Sequence, residues 1–224
     1  MTPKDITIAL SGNPNSGKTT VFNNLTGAKQ HVGNWPGVTV EKKEGNLSFK
    51  GYDIKVVDLP GVYSLTAYSL DEVIARNFVV DENPDVVVDI IDASNLERNL
   101  YLAVQLLEMG AKLVVALNMM DVAQSRGYQI DVAELSRLLG APVVPMVATR
   151  HQGTQELLET IVCVAEDKIQ VKGLRLNYGR EMEEEIAKLE KIIATDSRFQ
   201  GYSPRWLAVK LLEEDEEIIK KFTE

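Results

Sequence analysis

The chain has 224 residues, 45% of them hydrophobic, enough for one full α/β domain and a smaller appendage. Its 24 Lys and Arg stand against 33 Asp and Glu, a formal net charge of -9, which argues against nucleic acid as the main partner because phosphate backbones need clustered cations. The single cysteine, Cys163, rules out an internal disulfide, fits a reducing compartment and reads as a small apolar residue of an amphipathic stretch.

The opening MTPKDITIAL leads into a strand, not a cleavage site, and no apolar run approaches the ~18 residues of a membrane span, so the chain is expected to be soluble. Residues 1–170 alternate strand and helix patterns, the signature of a mostly parallel sheet of about six strands covered on both faces. DITIALSG is a strand running into glycine, and GKTTVFNNLTG a helix stopped by Gly27. EGNLSFKGYDIKVVD reads as two strands joined at Lys50-Gly51. SLDEVIARNFVVDE is a helix, PDVVVDIID a buried strand, and NLERNLYLAVQLLEMG a helix ended by Gly110. AKLVVALNMMD is a strand, DVAELSRLLG a helix with Asp131 as N-cap, PVVPMVA the last strand, and TQELLETIVCVAEDK the last helix of this part. Residues 171–224 hold no strand pattern and are expected to form a truncated helical domain. YGREMEEEIAKLEKIIA carries Met182, Ile186, Leu189 and Ile193 on one side, and SPRWLAVKLLEEDEEIIKKF reads as one helix started by Pro204. The acidic runs EEE and EEDEE are expected to be solvated helix faces.

GNPNSGKT, from Gly12 to Thr19, fits G-x-x-x-x-G-K-[ST] between a strand and a helix. In that context the backbone of Gly12, Asn13, Pro14, Asn15, Ser16 and Gly17, with the helix start at Lys18, Thr19 and Thr20, would wrap phosphates. Lys18 would neutralise the β- and γ-phosphates and Thr19 would ligate Mg²⁺. DLPG follows a strand, with Asp58 placed to hold a Mg²⁺ water and Gly61 to sense a γ-phosphate. NMMD resembles a base-reading N-K-x-D element, with Asn118 and with Asp121 able to accept two guanine N–H groups; Met119 replaces the lysine, so looser binding is expected. Val147, Ala148 and Thr149 stand where an amide can meet guanine O6. The segment KQHVGNWPGVTVEKKEG would be a switch loop, with Gly37, Val38 and Thr39 as nucleotide-facing residues and Thr39 as the second Mg²⁺ ligand. Trp35 in that loop is either a hydrophobic anchor or a partner contact. His31 reads as solvent-facing, and His151 as part of the loop beside the base. Asp92 is expected to cap a strand end, and Asp89, inside an apolar run, to hold at most a buried hydrogen bond. Val62 follows Gly61 where a water-orienting glutamine often stands, and valine orients nothing; Tyr63 and Ser64 are the nearby polar candidates.

Together, GNPNSGKTTVFNNLTG, GNWPGVTVEKKEG, VVDLPGVYSL, DASNLERNLYL and NMMD resemble the cytosolic G domain of the ferrous iron transport protein B family, over about residues 5 to 165. The tail resembles the start of that family's helical domain. The resemblance implies GTP binding and hydrolysis to GDP in service of Fe²⁺ uptake through a membrane region, at the cytoplasmic face of the cell membrane. Its implied partners are guanine nucleotide, the membrane domain, a small accessory protein and other copies of the chain, with no nucleic acid. It also implies K⁺-stimulated hydrolysis, with Asn15 and carbonyls near Asn34–Gly37 holding K⁺ where an arginine finger would otherwise place its charge. Asn15, Lys18, Thr39 and Gly61 are the expected catalytic set; the other reading of Asn15 is a turn residue. Two alternatives stand beside this one: a pure binding switch, and a ribosome-assembly or RNA-modification GTPase, which the acidic charge and the lack of a basic tail disfavour.

Overall fold

The computed structural model describes residues 4–27 and 29–223. Seven strands form one sheet in the order β2-β3-β4-β1-β5-β6-β7. They are β1 (Lys4–Gly12), β2 (Gln30–Asn34), β3 (Glu41–Phe49), β4 (Tyr52–Asp58), β5 (Val86–Asp92), β6 (Leu113–Asn118) and β7 (Val143–Pro145). All neighbours are parallel except β2–β3 and β3–β4, which are antiparallel. Apolar residues cover both faces of the parallel part, as a sheet wrapped on two sides requires. Ile8, Leu10, Val88 and Ile90 face α1 (Lys18–Thr26) and α6 (Thr154–Ala165) through Phe22, Leu157 and Ile161. Ala9, Val87, Ile91 and Val115 face the opposite layer, which includes α2 (Leu70–Asn77) and α3 (Leu96–Glu108). Two short helices, α4 (Met120–Ser125) and α5 (Val132–Leu139), lie between β6 and β7; Asp131 caps α5 by accepting from Glu134 N–H at 2.9 Å.

Strand β2 stands where a loop was expected and brings the sheet of about six strands to seven. All five of its residues are exposed, so it has no apolar alternation to read; antiparallel pairing with β3, from Gln30 opposite Gly45 to Asn34 opposite Glu41, makes it a strand. The segment is therefore a hairpin whose turn closes through Trp35 N–H to Val40 O at 2.9 Å. Trp35 is buried, edge-on to Phe78 at 5.5 Å, with Lys42 Nζ 4.8 Å from its ring centre. It anchors the hairpin to the layer that carries α2. His31 is exposed, but on this strand and not in a loop.

No helix or strand lies between Ala165 and Arg180. Beyond it come α7 (Arg180–Thr195), α8 (Pro204–Leu212) and α9 (Glu216–Thr223), which share the core of the α2–α3 layer through Ile186, Ile193, Trp206, Leu207 and Ile218. Met182, expected on the buried stripe of α7, is exposed; the buried face of that helix begins at Ile186. The single helix expected from Ser203 to Phe222 breaks in two. Glu214 takes a left-handed conformation, φ 55, and Asp215 restarts the chain as a cap, accepting from Ile218 N–H at 3.1 Å. Neither acidic run is simply a solvated face. Glu183 accepts from both terminal nitrogens of Arg205 (3.0 and 2.7 Å) and from Tyr178 N–H, and the Arg205 guanidinium holds its carboxyl at about 2. Asp215 meets Arg76 of α2 at 2.7 Å, with Arg76 only 1% exposed.

Candidate functional site

β1 lies between β4, whose chain neighbour β3 continues to one side, and β5, from which the order runs to the other; strand order thus reverses at β1. Such a reversal opens a crevice at the carboxyl ends of the strands, and β1, β4 and β5 end there at Gly12, Asp58 and Asp92. The loop Gly12–Gly17 crosses the crevice and feeds α1. Gly17 begins that helix at φ 92, with no side-chain cap and no acidic residue in the first turn. The first N–H groups of α1 therefore face the crevice without internal partners, a ready site for an anion. A Cβ on Gly17 would lie 2.3 Å from Asn118 Nδ2, so only glycine fits. Asn15 also has positive φ, 67, which asparagine tolerates, and its side chain is exposed.

Electrostatics dominate this end of the molecule. Lys18 Nζ is bonded to the Asp58 carboxylate, both largely buried. Asn13 is 3% exposed, and both polar atoms of its side chain lack a hydrogen-bond partner among the described residues; so does Ser16 Oγ. Buried polar groups left open in this way cost about 1–3 kcal/mol each, and their concentration around an uncapped helix start fits a loop made for a polar, anionic ligand.

The turn after β4 is seated on the loop. Leu59 N–H donates to Leu10 O at 3.0 Å, Val62 N–H to Gly12 O at 3.3 Å, and a Cβ on Gly61 would lie 3.6 Å from the Pro14 backbone. Val62 is buried in the core. Tyr63 lies flat against Arg98, whose guanidinium carbon is 4.0 Å from the ring centre, and Ser64 Oγ donates to Glu72 at 2.6 Å. Glu72 closes a capping box with Ser69, a pairing that S-x-x-E in SLDE could have announced.

The second half of the crevice is organised by Asn118. Its Nδ2 donates to Ser16 O at 2.9 Å, and its Oδ1 accepts from Ala148 N–H at 3.0 Å. Ala148 O accepts in turn from Asn24 of α1 at 2.8 Å. One carboxamide thus joins the loop after β1 to the segment after β7. Met119 follows in a left-handed conformation and starts α4. Asp121 is partly exposed, with Arg150 at 3.8 Å. Val147 is buried and pairs with Gln152, Thr149 is exposed, and His151 is exposed with φ 55. Thr19 and Thr20 sit in the first turn of α1, Thr19 exposed.

The β2–β3 turn is not brought to this cluster by any hydrogen bond or ion pair among the described residues. Gly37 has φ 74, Val38 N–H bonds back to Trp35 O, and Thr39 is exposed. The carbonyls of Asn34–Gly37 lie in this same hairpin and its turn. Asp92 caps the turn after β5, accepting from Ser94 N–H at 2.8 Å and Asn95 Nδ2 at 2.6 Å. Asp89 lies in the middle of β5 opposite Ser11, fully buried, and holds no hydrogen bond among the described residues; burial pushes its carboxyl up to about 8. The buried hydrogen bond expected for it is absent among those residues. Asn13 as an unpartnered carboxamide and the Arg76–Asp215 pair were not legible, since neither has a local spacing signature.

The family model described as "Ferrous iron transport protein B" matches residues 6–161, and that described as "FeoB cytosolic helical domain" matches residues 178–224. The chain is 45% identical over 216 residues to the Fe(2+) transporter FeoB of Escherichia coli (strain K12), with 95% of this chain and 27% of that protein covered. The chain thus spans about a quarter of the length of such curated relatives. The crystal structure of the cytosolic domain of T. maritima FeoB in a GDP form superposes with a TM-score of 0.91 at 42% identity, covering 97% of this chain and 85% of that one. The cytosolic domain of L. pneumophila FeoB gives 0.88 at 42% identity, covering 96% and 84%. With a phosphate loop at the switch point of a seven-stranded sheet, and with helices after it, the chain belongs to the ferrous iron transport protein B family.

Proposed function

We propose that the chain is the guanine-nucleotide-binding and GTP-hydrolysing unit of a ferrous iron transporter, with a sheet domain of residues 1–170 and a helical domain of residues 171–224. The observation that carries the reading is Asn118, whose one side chain ties the phosphate loop to the Ala148 amide, so that phosphates and a base edge are presented in one crevice. Relatives support it: the T. maritima domain was crystallised in GDP and GMPPNP forms, and an S. thermophilus domain bound to GDP. Phosphates would take the free N–H groups of residues 13, 15 and 17–20 and draw Lys18 away from Asp58, whose carboxylate is then released. Asp121 would accept from N1–H and the 2-amino group of guanine, with Met119 packed on the base and Ala148 N–H, shared with Asn118, near O6.

Thr19, Asp58 and Thr39 offer hydroxyl and carboxylate oxygens, the donor set a hard divalent ion such as Mg²⁺ prefers. Thr39 reaches them only if the hairpin turn rearranges when nucleotide is bound. The exposed Asn15 carboxamide offers a carbonyl oxygen suited to K⁺. These cations would supply positive charge against the phosphates; the chain's part is to hold them and to keep Gly61 N–H near the γ-phosphate. The transporter's membrane domain, a small accessory protein and other copies of the chain are the proposed partners, at the cytoplasmic face of the membrane. The acidic surface supports this over an RNA-directed GTPase. The test is GTP turnover with K⁺ replaced by Na⁺. Turnover should be clearly faster in K⁺, and Asn15→Ala should remove the difference while leaving the fold intact. Equal rates in the two salts would remove the K⁺ assignment, and tight binding of structured RNA at physiological salt would favour the alternative.

A further inference from the structure

Resting on the GTPase reading, we infer that Asn13 is a positioning residue for hydrolysis: its carboxamide receives the backbone of the 59–65 turn when that turn moves toward the γ-phosphate. Val62 carries no polar side chain there, Ser64 is bonded to Glu72, and Tyr63 is 42% exposed with its ring stacked on Arg98. A buried group of another element packed against the turn is better placed to position it. The turn rests on the phosphate loop at the two residues that flank Asn13: Val62 N–H bonds Gly12 O, and Gly61 stands over Pro14. Asn13 itself is 3% exposed, with both the donor and the acceptor of its side chain unpartnered among the described residues.

A buried carboxamide open on both atoms is costly in the state seen here, and that cost is relieved in a state that supplies partners. The 59–65 turn can supply them. Directing Gly61 N–H at a γ-phosphate pulls on the neighbouring Val62 N–H···O Gly12 bond, the longest of the bonds seating the turn, at 3.3 Å against 3.0 Å for Leu59. Once that bond opens, Val62 N–H needs a new acceptor and its neighbouring carbonyls a donor. Asn13 is the adjoining residue of the loop and offers both. The side chain thus stabilises the turn in its γ-phosphate-facing position, and backbone groups of the turn orient the attacking water.

The experiment compares wild type, Asn13→Ala and Asn13→Asp in the full chain, measuring kcat and KM for GTP in K⁺ and in Na⁺, the Kd of a fluorescent GDP analogue, and Tm without nucleotide. Loss of positioning should lower kcat of Asn13→Ala by about 10- to 100-fold, as expected for a misplaced reacting geometry. KM and the GDP-analogue Kd should change far less than kcat and the K⁺/Na⁺ rate ratio should be preserved, because the backbone N–H groups of the loop and the Asn15 carboxamide stay in place. Tm should hold or rise, since an unpartnered buried group has been removed. Asn13→Asp, which keeps an acceptor and loses the donor, should fall between the two. Wild-type kcat in Asn13→Ala would overturn the inference, and so would a loss of GDP affinity parallel to the loss of rate, which marks a binding residue. If Asn13→Ala does not fold, Asn13→Ser, too short to span to the turn, is held to the same outcomes. Wild-type protein inert toward GTP in both salts overturns the GTPase reading and this inference with it; wild-type turnover with unaltered variants overturns this inference alone.

Discussion

The phosphate end of the crevice and the seam between the sheet and helices α7–α9 both bury polar and charged side chains, and they treat them in opposite ways. At the seam, a terminal nitrogen of Arg76 is matched by Asp215, although Arg76 Nε has no partner among the described residues, and within the helices Arg205 of α8 is matched by Glu183 of α7. In the phosphate loop, Asn13 and Ser16 have open polar atoms, and the ion pair there, Lys18 with Asp58, joins the start of α1 to the end of β4. The difference separates two uses of buried polarity. Where a charge fixes how elements pack, a partner is built in; in the loop after β1, buried polar atoms are left open. Asp89 obeys neither rule, being buried and unpartnered among the described residues in the middle of β5.

The comparison can be broken at the seam first, where the largest effect is expected. Arg76→Ala leaves Asp215 a buried carboxylate without its counter-charge and should lower unfolding stability by about 3–5 kcal/mol in urea titration. The joint replacement of Arg76 and Asp215 by methionine and asparagine should recover much of that loss, since no buried charge is stranded. Loss of less than about 1 kcal/mol in the single variant would show that the seam does not depend on the pair.

Asp89 gives the next effect and has a sign that depends on pH. Its carboxyl titrates near 8 when folded and near its ordinary value of 3.8 when unfolded, so between those values the folded state holds the extra proton. Stability should therefore fall as pH rises from about 4 to about 8 and level off above it. Asp89→Asn removes that slope, and its Tm advantage over wild type should grow across the range to several degrees by about pH 8. A Tm difference that stays constant with pH would mean that Asp89 does not titrate in this window. The smallest effect belongs to the phosphate loop: Ser16→Ala deletes an unpartnered hydroxyl and should change nucleotide-free stability by no more than about 1 kcal/mol, toward greater stability. A clear loss in that variant would mean that the Ser16 hydroxyl holds a stabilising bond in the nucleotide-free state.

What could be read in advance follows from how local each feature is. The phosphate loop, the Asp131 cap and the hairpin at Lys50-Gly51 are written in a few adjacent residues, and the structure has the turn and cap where those residues put them. Strand β2 was illegible because its five exposed residues carry no alternation and its existence depends on β3. The break between α8 and α9 was hidden within an acidic run in which Asp215 looks like any other carboxylate; its cap and its bond to Arg76 depend on a helix 139 positions earlier in the chain. At the site, the residue types were legible but their bonding was not: spacing points to Asn13 as loop backbone, and only burial reveals its unpartnered side chain.

The contact between Gly17 and Asn118 has a consequence for how this chain can change over generations. A methyl group on residue 17 would displace the Asn118 amide, and with it the bonds to Ser16 and Ala148. Two positions 101 residues apart are therefore tied as one inherited unit, and a library that randomises the loop after β1 will also select on the segment after β7.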